Sequence, residues 1–433
     1  MEAERNARDT ECDCVIVGGG PAGMMLALLL GRAGLSVVIL EKHGDFLRDF
    51  RGDTVHPSTL ELLDELGIKQ RFDALPQTRT SEMKILFKDG LHGVFDFRSL
   101  EPFPYLSFVP QWDFLDFLAT EAKRASRGFD LRMNHEVVGL IRRDGRIAGV
   151  RARTRDGGTV EIKAKLTVAC DGRNSDMRKA AGLAAFNFGA PMDVLWFRLP
   201  RSPSDPEDSF AVAQRGRFLV LLNRTDYWQI AYAIPKGHAP VLRRKPIAFF
   251  RDEVARRLPL VGDRTSALAS WDAVRLLEVR VDQLLRWHQP GFLVIGDAAH
   301  AMSPVGAVGI NLAIQDAVAA ANIITAPLLR GQTPSTLHLA AVQLRRQLPA
   351  AWIQAIQQLL QRVIIAPALA ASDDPTPIPV PPGLRFVLRF PRVRALPARM
   401  FGLGLWREHI GEALKGHDTG AVVPCQPSAT PRS

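Results

Sequence analysis

The 433-residue sequence has few cysteines, and their spacing indicates neither a disulfide framework nor a metal centre. There are four: Cys12, Cys14, Cys170 and Cys425. Cys12 and Cys14 lie two residues apart on a predicted strand, where their side chains point the same way and are poorly placed for a disulfide. No other cluster of cysteine and histidine has zinc-ligand spacing. We therefore expect no metal site and a reducing, cytoplasmic location.

Long uninterrupted hydrophobic runs are also scarce. The longest ones are interrupted by polar residues such as Arg32 and Arg362, and we predict that none spans a bilayer. Residues 1–13 are acidic and polar, unlike a signal peptide. We find no internal repeat. The composition, 47% hydrophobic and 23% charged, is that of an ordinary globular protein, and the length suggests two joined domains.

The net charge of +10 suits an anionic partner, but no nucleic-acid-binding motif accompanies it. We favour binding of a phosphate-bearing small molecule, because a glycine-rich loop, Gly18-Gly19-Gly20-Pro21-Ala22-Gly23, follows a predicted strand at 12–17 and opens a predicted helix at 21–33. A second strand at 35–40 completes a βαβ unit, which predicts a parallel sheet. Such a loop lets the backbone approach a pyrophosphate, which the helix N-terminus attracts.

An acidic residue ends the second strand of this unit. Glu41 lies 23 residues after Gly18, where its carboxylate can accept a hydrogen bond from a ribose hydroxyl, and Lys42 follows it. Strand, loop, helix and acid together predict dinucleotide binding. The pattern alone does not separate FAD from NAD.

A second motif follows a predicted strand at 292–295. It reads Gly296-Asp297-Ala298-Ala299-His300 and continues as Pro304-x-Gly306-x-x-Gly309-Ile310-Asn311 into a predicted helix that ends near Leu329. Asp297 can accept a hydrogen bond from a sugar-like hydroxyl. The backbone amides at the helix N-terminus would stabilise an anionic ring edge, such as that of a reduced flavin. The alternative is a structural turn with an N-capping asparagine.

A third motif, Asp171-Gly172-x-x-Ser175-x-x-Arg178, comes directly after a predicted strand at 166–170. Asp171 is placed to hold the cofactor beside the first loop. A plain turn with Ser175 as a helix cap explains the same residues equally well.

Together these motifs resemble, in order and spacing, the class A flavin-dependent monooxygenases of the para-hydroxybenzoate hydroxylase type, over roughly residues 12–330. The resemblance implies FAD as cofactor, NADPH or NADH as reductant and O2 as co-substrate. It also implies hydroxylation of an aromatic or quinone-like molecule through a flavin C4a-hydroperoxide. Cofactor contacts are implied for these residues: Gly18, Gly20, Pro21, Ala22, Gly23, Glu41, Lys42, Arg51, Gln111, Asp171, Gly172, Gly296, Asp297, Pro304, Gly306, Gly309, Ile310 and Asn311.

The fold that the resemblance implies is α/β, or α+β overall. A Rossmann-like FAD-binding domain (1–75, 106–183 and 286–345) would be interleaved with a substrate domain built on a mostly antiparallel sheet (76–105 and 184–285). We expect a C-terminal helical segment at 346–416 and a disordered tail at 417–433.

The substrate is less well defined. His56 is a candidate base that could approach the flavin, whereas we expect His300 to be a packing residue. With only three tyrosines, Tyr105, Tyr227 and Tyr232, the chain offers no set that matches a simple phenolic acid site. We also expect no thioredoxin-like C-terminal domain of the kind found in the phenol hydroxylase branch.

Three rival interpretations use the same architecture. A flavin-dependent halogenase would carry Trp-x-Trp-x-Ile-Pro, but residues 230–235 read Ile-Ala-Tyr-Ala-Ile-Pro. An FAD-dependent reductase of a prenyl or other alkene-containing substrate stays open. A non-catalytic FAD-fold binding protein is disfavoured, because the glycine and acid motifs are intact.

The segment 384–408 combines six arginines with interleaved aromatic residues. This pattern suits peripheral membrane contact or a hydrophobic entry element, but we favour an amphipathic segment packed on the core with its arginines in solvent. The sequence leaves open whether the protein is a monomer or a homodimer.

Overall fold

The computed structural model describes residues 10–47, 54–370, 372 and 374–415. Arg51, which the resemblance assigns to the cofactor, lies outside these residues, and so does the tail at 417–433.

The described chain contains twenty strands in four sheets. They are β1 (Thr10–Val17), β2 (Val37–Leu40), β3 (Thr54–Val55), β4 (Thr78–Thr80), β5 (Glu82–Phe87), β6 (Gly90–Asp96), β7 (Leu106–Phe108), β8 (Phe129–Arg132), β9 (Glu136–Arg143), β10 (Arg146–Arg153), β11 (Thr159–Ala169), β12 (Ala185–Asn187), β13 (Met192–Pro200), β14 (Phe210–Gln214), β15 (Arg217–Asn223), β16 (Tyr227–Pro235), β17 (Arg275–Leu277), β18 (Asp282–Leu284), β19 (His288–Gln289) and β20 (Phe292–Val294).

The α-helices of the described residues are α1 (Pro21–Arg32), α2 (Pro57–Glu65), α3 (Lys69–Asp73), α4 (Gln111–Ala125), α5 (Asp176–Ala180), α6 (Ala239–Arg243), α7 (Ile247–Arg257), α8 (Gly309–Leu329), α9 (Thr336–Leu360), α10 (Ala366–Leu369), α11 (Pro382–Leu388), α12 (Pro391–Gly402) and α13 (Glu412–Lys415). Short 3-10 helices cover Pro259–Ala267, Trp271–Ala273, Gly296–Ala298 and Val305–Ala307, and a π-helical turn at Gln361–Ile365 continues α9.

The eight-stranded sheet has the order β19-β20-β11-β1-β2-β8. Strands β20, β11, β1, β2 and β8 run parallel, as the βαβ pattern predicts. The long β11 also pairs with β10, and β10 with β9, in the predicted antiparallel meander. Because parallel strands place their carboxyl ends at one edge, the residues after β1, β2, β11 and β20 lie together.

The seven-stranded sheet has the order β17-β13-β16-β15-β14-β5-β6 and is antiparallel except between β14 and β5. Side chains alternate between its two faces. One face, which includes Phe197, Trp228, Ile230 and Tyr232, packs against α7 and the 3-10 helix that follows it. The opposite face packs in part against α10 and the segment around Ile378, and its remaining side chains line a cavity.

The first core lies between the eight-stranded sheet and helices α1, α4 and α8. Residues Val305–Leu329 are long and apolar enough to cross a membrane by length and composition, which the sequence analysis did not anticipate. However, 78% of the most apolar window in this stretch is buried inside the protein, as in a core helix.

These features confirm the α/β fold class, with most predicted strands and helices present within a few residues. Helix α9 runs without a break through the boundary predicted between 345 and 346. The predicted domain division stays a prediction.

Candidate active site

A cavity of about 870 Å³ lies between the carboxyl edge of the eight-stranded sheet and the face of the seven-stranded sheet opposite α7. At one end it is lined by residues of the three sequence motifs, among them Gly18, Asp171 and Asp297. At the other end it is lined by apolar side chains of the second sheet, such as Trp196 and Phe218. The cavity therefore joins a polar, glycine-rich end to an apolar chamber.

The glycine loop leaves no room for side chains at Gly18 and Gly23. Gly18 has a φ of +101°, and a Cβ there would lie 2.5 Å from the carbonyl oxygen of Cys170. A Cβ on Gly23 would lie 2.1 Å from the carbonyl oxygen of Gly18. Helix α1 then begins at Pro21 with no side-chain cap on its first amides. The loop thus offers uncapped N–H groups and a bare backbone, which fit a pyrophosphate.

Glu41, at the end of β2, is almost fully buried beside this loop. One carboxylate oxygen accepts from the Gly19 amide (2.9 Å), and the other accepts from the His43 amide (3.0 Å) and contacts His43 Nδ1 at 2.7 Å. Glu41 therefore holds the loop in shape as well as lining the cavity. Its contact with a ribose stays a prediction.

Asp297 follows β20 and faces the first loop across the cavity. Its carboxylate accepts from Arg173 Nη2 at 2.9 Å, and both side chains are about a quarter exposed. Arg173 lies in the third motif, at a position to which the sequence analysis gave no role. Its position directly after the Asp171-Gly172 turn, at the same sheet edge as Asp297, could have indicated that it contacts Asp297. The pair brings a titratable acid and a fixed cation to the polar end of the cavity.

Asp171 combines the two roles that the sequence left open. It lines the cavity, and it also accepts from Ser175 Oγ at 2.6 Å and from the Met177 amide at 3.1 Å. Burial raises the pKa of the Asp171 carboxyl, although these hydrogen bonds act in the opposite direction. Ser175 caps α5 by accepting from the Arg178 amide, as predicted for a helix cap.

The start of α8 carries no side-chain cap, so the predicted alternative of an N-capping asparagine is not observed. Gly309 and Ile310 line the cavity, and their amides lie at the positive end of α8. The side chain of Asn311 instead accepts from the His56 amide (2.8 Å) and Thr59 Oγ1 (2.7 Å). Asn311 thus ties the start of α2 to the start of α8.

His56 is not part of the cavity lining, and its approach to the flavin stays a prediction. It is fully buried, and its Nδ1–H donates to the carbonyl oxygen of Phe401 at 2.9 Å. Burial lowers the pKa of His56 to about 4. An imidazole in this position joins α2 to α12 and is badly placed to take a proton from a molecule in the cavity.

A buried ion network supports the Gly296-Asp297 turn from behind. Asp316 of α8 accepts from the Gly296 amide (3.0 Å), His300 Nε2 (2.5 Å) and Arg346 Nε (2.9 Å). Burial opposes ionisation, but His300 and Arg346 hold the pKa of the Asp316 carboxyl below its ordinary value. Arg346 also reaches Glu408 at 3.3 Å, so the network connects the turn to the C-terminal segment. His300 is a structural residue, as expected.

The apolar end of the cavity has a flat floor and aromatic walls. Small side chains in the middle of the sheet, Ala211, Ala231 and Ala233, form the floor. The walls come from several aromatic residues in both parts of the chain: Phe95, Phe97, Phe108, Trp112, Trp196, Phe218 and Phe401. Such a chamber suits a planar ring system rather than a compact polar molecule. Sequence analysis missed this wall, because alternation on a strand does not reveal which face is free.

Most of the predicted cofactor residues meet at this cavity. Those on its lining are Gly18, Gly20, Pro21, Ala22, Glu41, Lys42, Gln111, Asp171, Gly172, Asp297, Pro304, Gly306, Gly309 and Ile310. Gly23, Gly296 and Asn311 lie just behind it and shape the turns. The fold and this site define a dinucleotide-dependent enzyme with an adjoining apolar substrate chamber.

Comparison with known proteins identifies the family. A family model described as an FAD binding domain matches residues 11–356. The 6-methylpretetramide 4-monooxygenase of Streptomyces rimosus is 32% identical over 360 residues, which cover 82% of this chain and 84% of that protein. The 12-dehydrotetracycline 5-monooxygenase/anhydrotetracycline 6-monooxygenase of the same species is 30% identical over 320 residues, covering 71% of this chain and 61% of that longer protein.

Among solved structures, p-nitrophenol 4-monooxygenase from Pseudomonas putida shares the fold. Its TM-score is 0.68 at 21% identity, over 90% of this chain and 94% of that one. The chain therefore belongs to the class A flavin-dependent monooxygenases that the sequence motifs resemble. It is an FAD-dependent monooxygenase of aromatic or quinone-like small molecules.

Proposed function

We propose that this monooxygenase hydroxylates a planar, fused-ring aromatic or quinone-like substrate, with electrons from NADPH or NADH and an oxygen atom from O2. One atom of O2 enters the ring and the other leaves as water, while the nicotinamide supplies two electrons. Bound FAD supplies the electron transfer and the activation of oxygen. The residues of this chain hold the cofactor, orient the substrate and exclude water.

The observation that carries the proposal is the floor of the cavity. Ala211 of β14 and Ala231 and Ala233 of β16 leave space on either side of Val220 of β15, and aromatic rings stand around this apolar floor. A single-ring phenol would leave much of this apolar surface unfilled, whereas a fused ring system would bury it, and buried apolar area favours binding. Relatives named for 6-methylpretetramide and anhydrotetracycline agree with a substrate of this class.

The polar end of the cavity fits FAD. The bare loop at Gly18 suits the pyrophosphate, Asp297 suits the hydroxyls of the ribityl chain, and the amides of Gly309 and Ile310 suit an anionic edge of the flavin ring. Gln111, at the start of α4, lines the same end. We keep these residues as the proposed cofactor site, together with Arg51.

The test uses the full chain loaded with FAD. We expect a hydroxylated anthraquinone to accelerate NADPH or NADH oxidation more than para-hydroxybenzoate does, because only the larger ring covers the floor. An Ala231→Phe variant should retain the flavin absorption but lose the stimulation by the anthraquinone, since the new ring would occupy the floor. Equal stimulation by the single-ring acid, or an anthraquinone response unchanged in Ala231→Phe, would refute the proposed substrate class.

A further inference from the structure

Two side-chain N–H donors on the cavity wall have no acceptor among the described residues. They are Nε2 of Gln229 and the indole nitrogen of Trp196, both buried, and both residues line the cavity. Burying an N–H without a partner costs free energy, so folded proteins contain few such groups. That two of them occur on one wall of the substrate chamber indicates a purpose connected with a ligand.

The orientation of the Gln229 amide is fixed. Its Oε1 accepts from Arg224 Nε at 3.1 Å, so its NH2 end is the part left without a partner. The side chain is held tightly, with only 2% of the residue exposed. The indole N–H of Trp196 can only donate a hydrogen bond. A ligand that forms hydrogen bonds with both N–H groups must therefore carry hydrogen-bond acceptors.

The two donors lie close together on the same face of the sheet. Trp196 of β13 pairs with Ala231 of β16, and Gln229 is two residues from Ala231 on that strand. Side chains two residues apart point to the same face of a strand, so Trp196 and Gln229 are diagonal neighbours beside the alanine floor.

We propose that Gln229 and Trp196 bind an acceptor oxygen of the substrate, a quinone carbonyl or a phenolate oxygen, and thereby fix how the ring lies on the floor. This inference rests on the proposed function and makes it more specific. A fused hydrocarbon without oxygen would fill the chamber but leave the donors unsatisfied, and each missing hydrogen bond lowers affinity roughly tenfold.

The experiment compares anthraquinone with anthracene, which has the same ring framework without the oxygens. Dissociation constants are measured on the FAD-loaded full chain from the change in flavin absorption. We expect the wild type to prefer anthraquinone by roughly tenfold or more. Gln229→Met and Trp196→Phe, which keep size or aromaticity but remove the N–H, should each lose most of this preference while anthracene binding changes less than about threefold.

Gln214→Met is the matched control. Gln214 lies in the same sheet but not on the cavity, and its Nε2 donates to the carbonyl oxygen of Arg257 at 2.8 Å, so this variant should keep the preference for anthraquinone. An unchanged preference for anthraquinone in Gln229→Met and Trp196→Phe would overturn the inference. An equal loss of affinity for anthraquinone and anthracene would also overturn it. In either case, stimulation of NADPH oxidation by fused rings would still support the proposed function. If no fused-ring compound binds or stimulates NADPH oxidation, both the inference about Gln229 and Trp196 and the proposed function are wrong.

Discussion

The position of His56 leads to a measurable dependence of stability on pH. The folded protein holds this imidazole neutral, with a pKa of about 4 against an ordinary value of 6.5, because the ring is fully buried. Protonation is therefore easier in the unfolded chain, and stability must fall as the pH drops below 6.5. The contribution levels off only below the folded pKa.

The size of the effect follows from the two pKa values. Linkage predicts that His56 alone removes about 1 kcal/mol of folding free energy at pH 5.5 and about 2 kcal/mol at pH 4.5, relative to neutral pH. His56→Asn removes the titration and retains an N–H that can donate to Phe401. At neutral pH the smaller side chain should cost about 1–2 kcal/mol, through imperfect packing.

The assay is denaturant unfolding of the FAD-free chain, followed by tryptophan fluorescence at neutral pH, pH 5.5 and pH 4.5. The stability advantage of the wild type over His56→Asn should shrink at pH 5.5 and disappear or reverse by pH 4.5. His238→Asn, at an exposed position, is the control, because it removes an imidazole that is not buried. A difference that stays constant with pH would refute the burial of a neutral ring. Loss of substrate-stimulated NADPH oxidation in stably folded His56→Asn would restore His56 as a base.

Three further predictions test other parts of the site. Gly18→Ala should abolish the flavin absorption of the purified protein, because its Cβ would meet the Cys170 carbonyl, whereas Gly34→Ala, also at positive φ but with open space around it, should keep FAD. Asp316→Asn should lower the unfolding free energy by about 3 kcal/mol, since buried Arg346 and His300 lose the carboxylate between them and Arg346 keeps only Glu408; a loss under about 1 kcal/mol would contradict the network. If the segment 384–408, with Phe386 and Phe390 exposed, contacts membranes, the protein should co-sediment with anionic vesicles at low salt and dissociate at high salt; no sedimentation at low salt would exclude the idea.

The sequence was sufficient for the cofactor end of the site because that chemistry is local. The turn at Gly18, the acid at Glu41 and the Gly296-Asp297 motif each follow a strand, and parallel strands bring their carboxyl ends to one edge. Their meeting at one cavity therefore follows from the order of the strands. Gln111, by contrast, was placed there by the resemblance alone.

The substrate end was not predictable, because it depends on long-range pairing. The floor exists only because β13 to β16 align Ala231 with Trp196 and Val220, and no local pattern specifies that register. The contact made by His56 was not predictable for a related reason. Thr54, two residues before it, lines the cavity, but the ring of His56 turns towards Phe401, which is 345 residues away along the chain.

The central claim, that this enzyme inserts one oxygen atom into an aromatic ring, is tested most directly by product mass under isotopically labelled O2. The FAD-loaded chain is incubated with NADPH and a hydroxylated anthraquinone that stimulates NADPH oxidation. The account predicts a product that has gained a single labelled oxygen atom. A product that has gained two hydrogens and no labelled oxygen would contradict it, and would favour the reductase that the sequence left open.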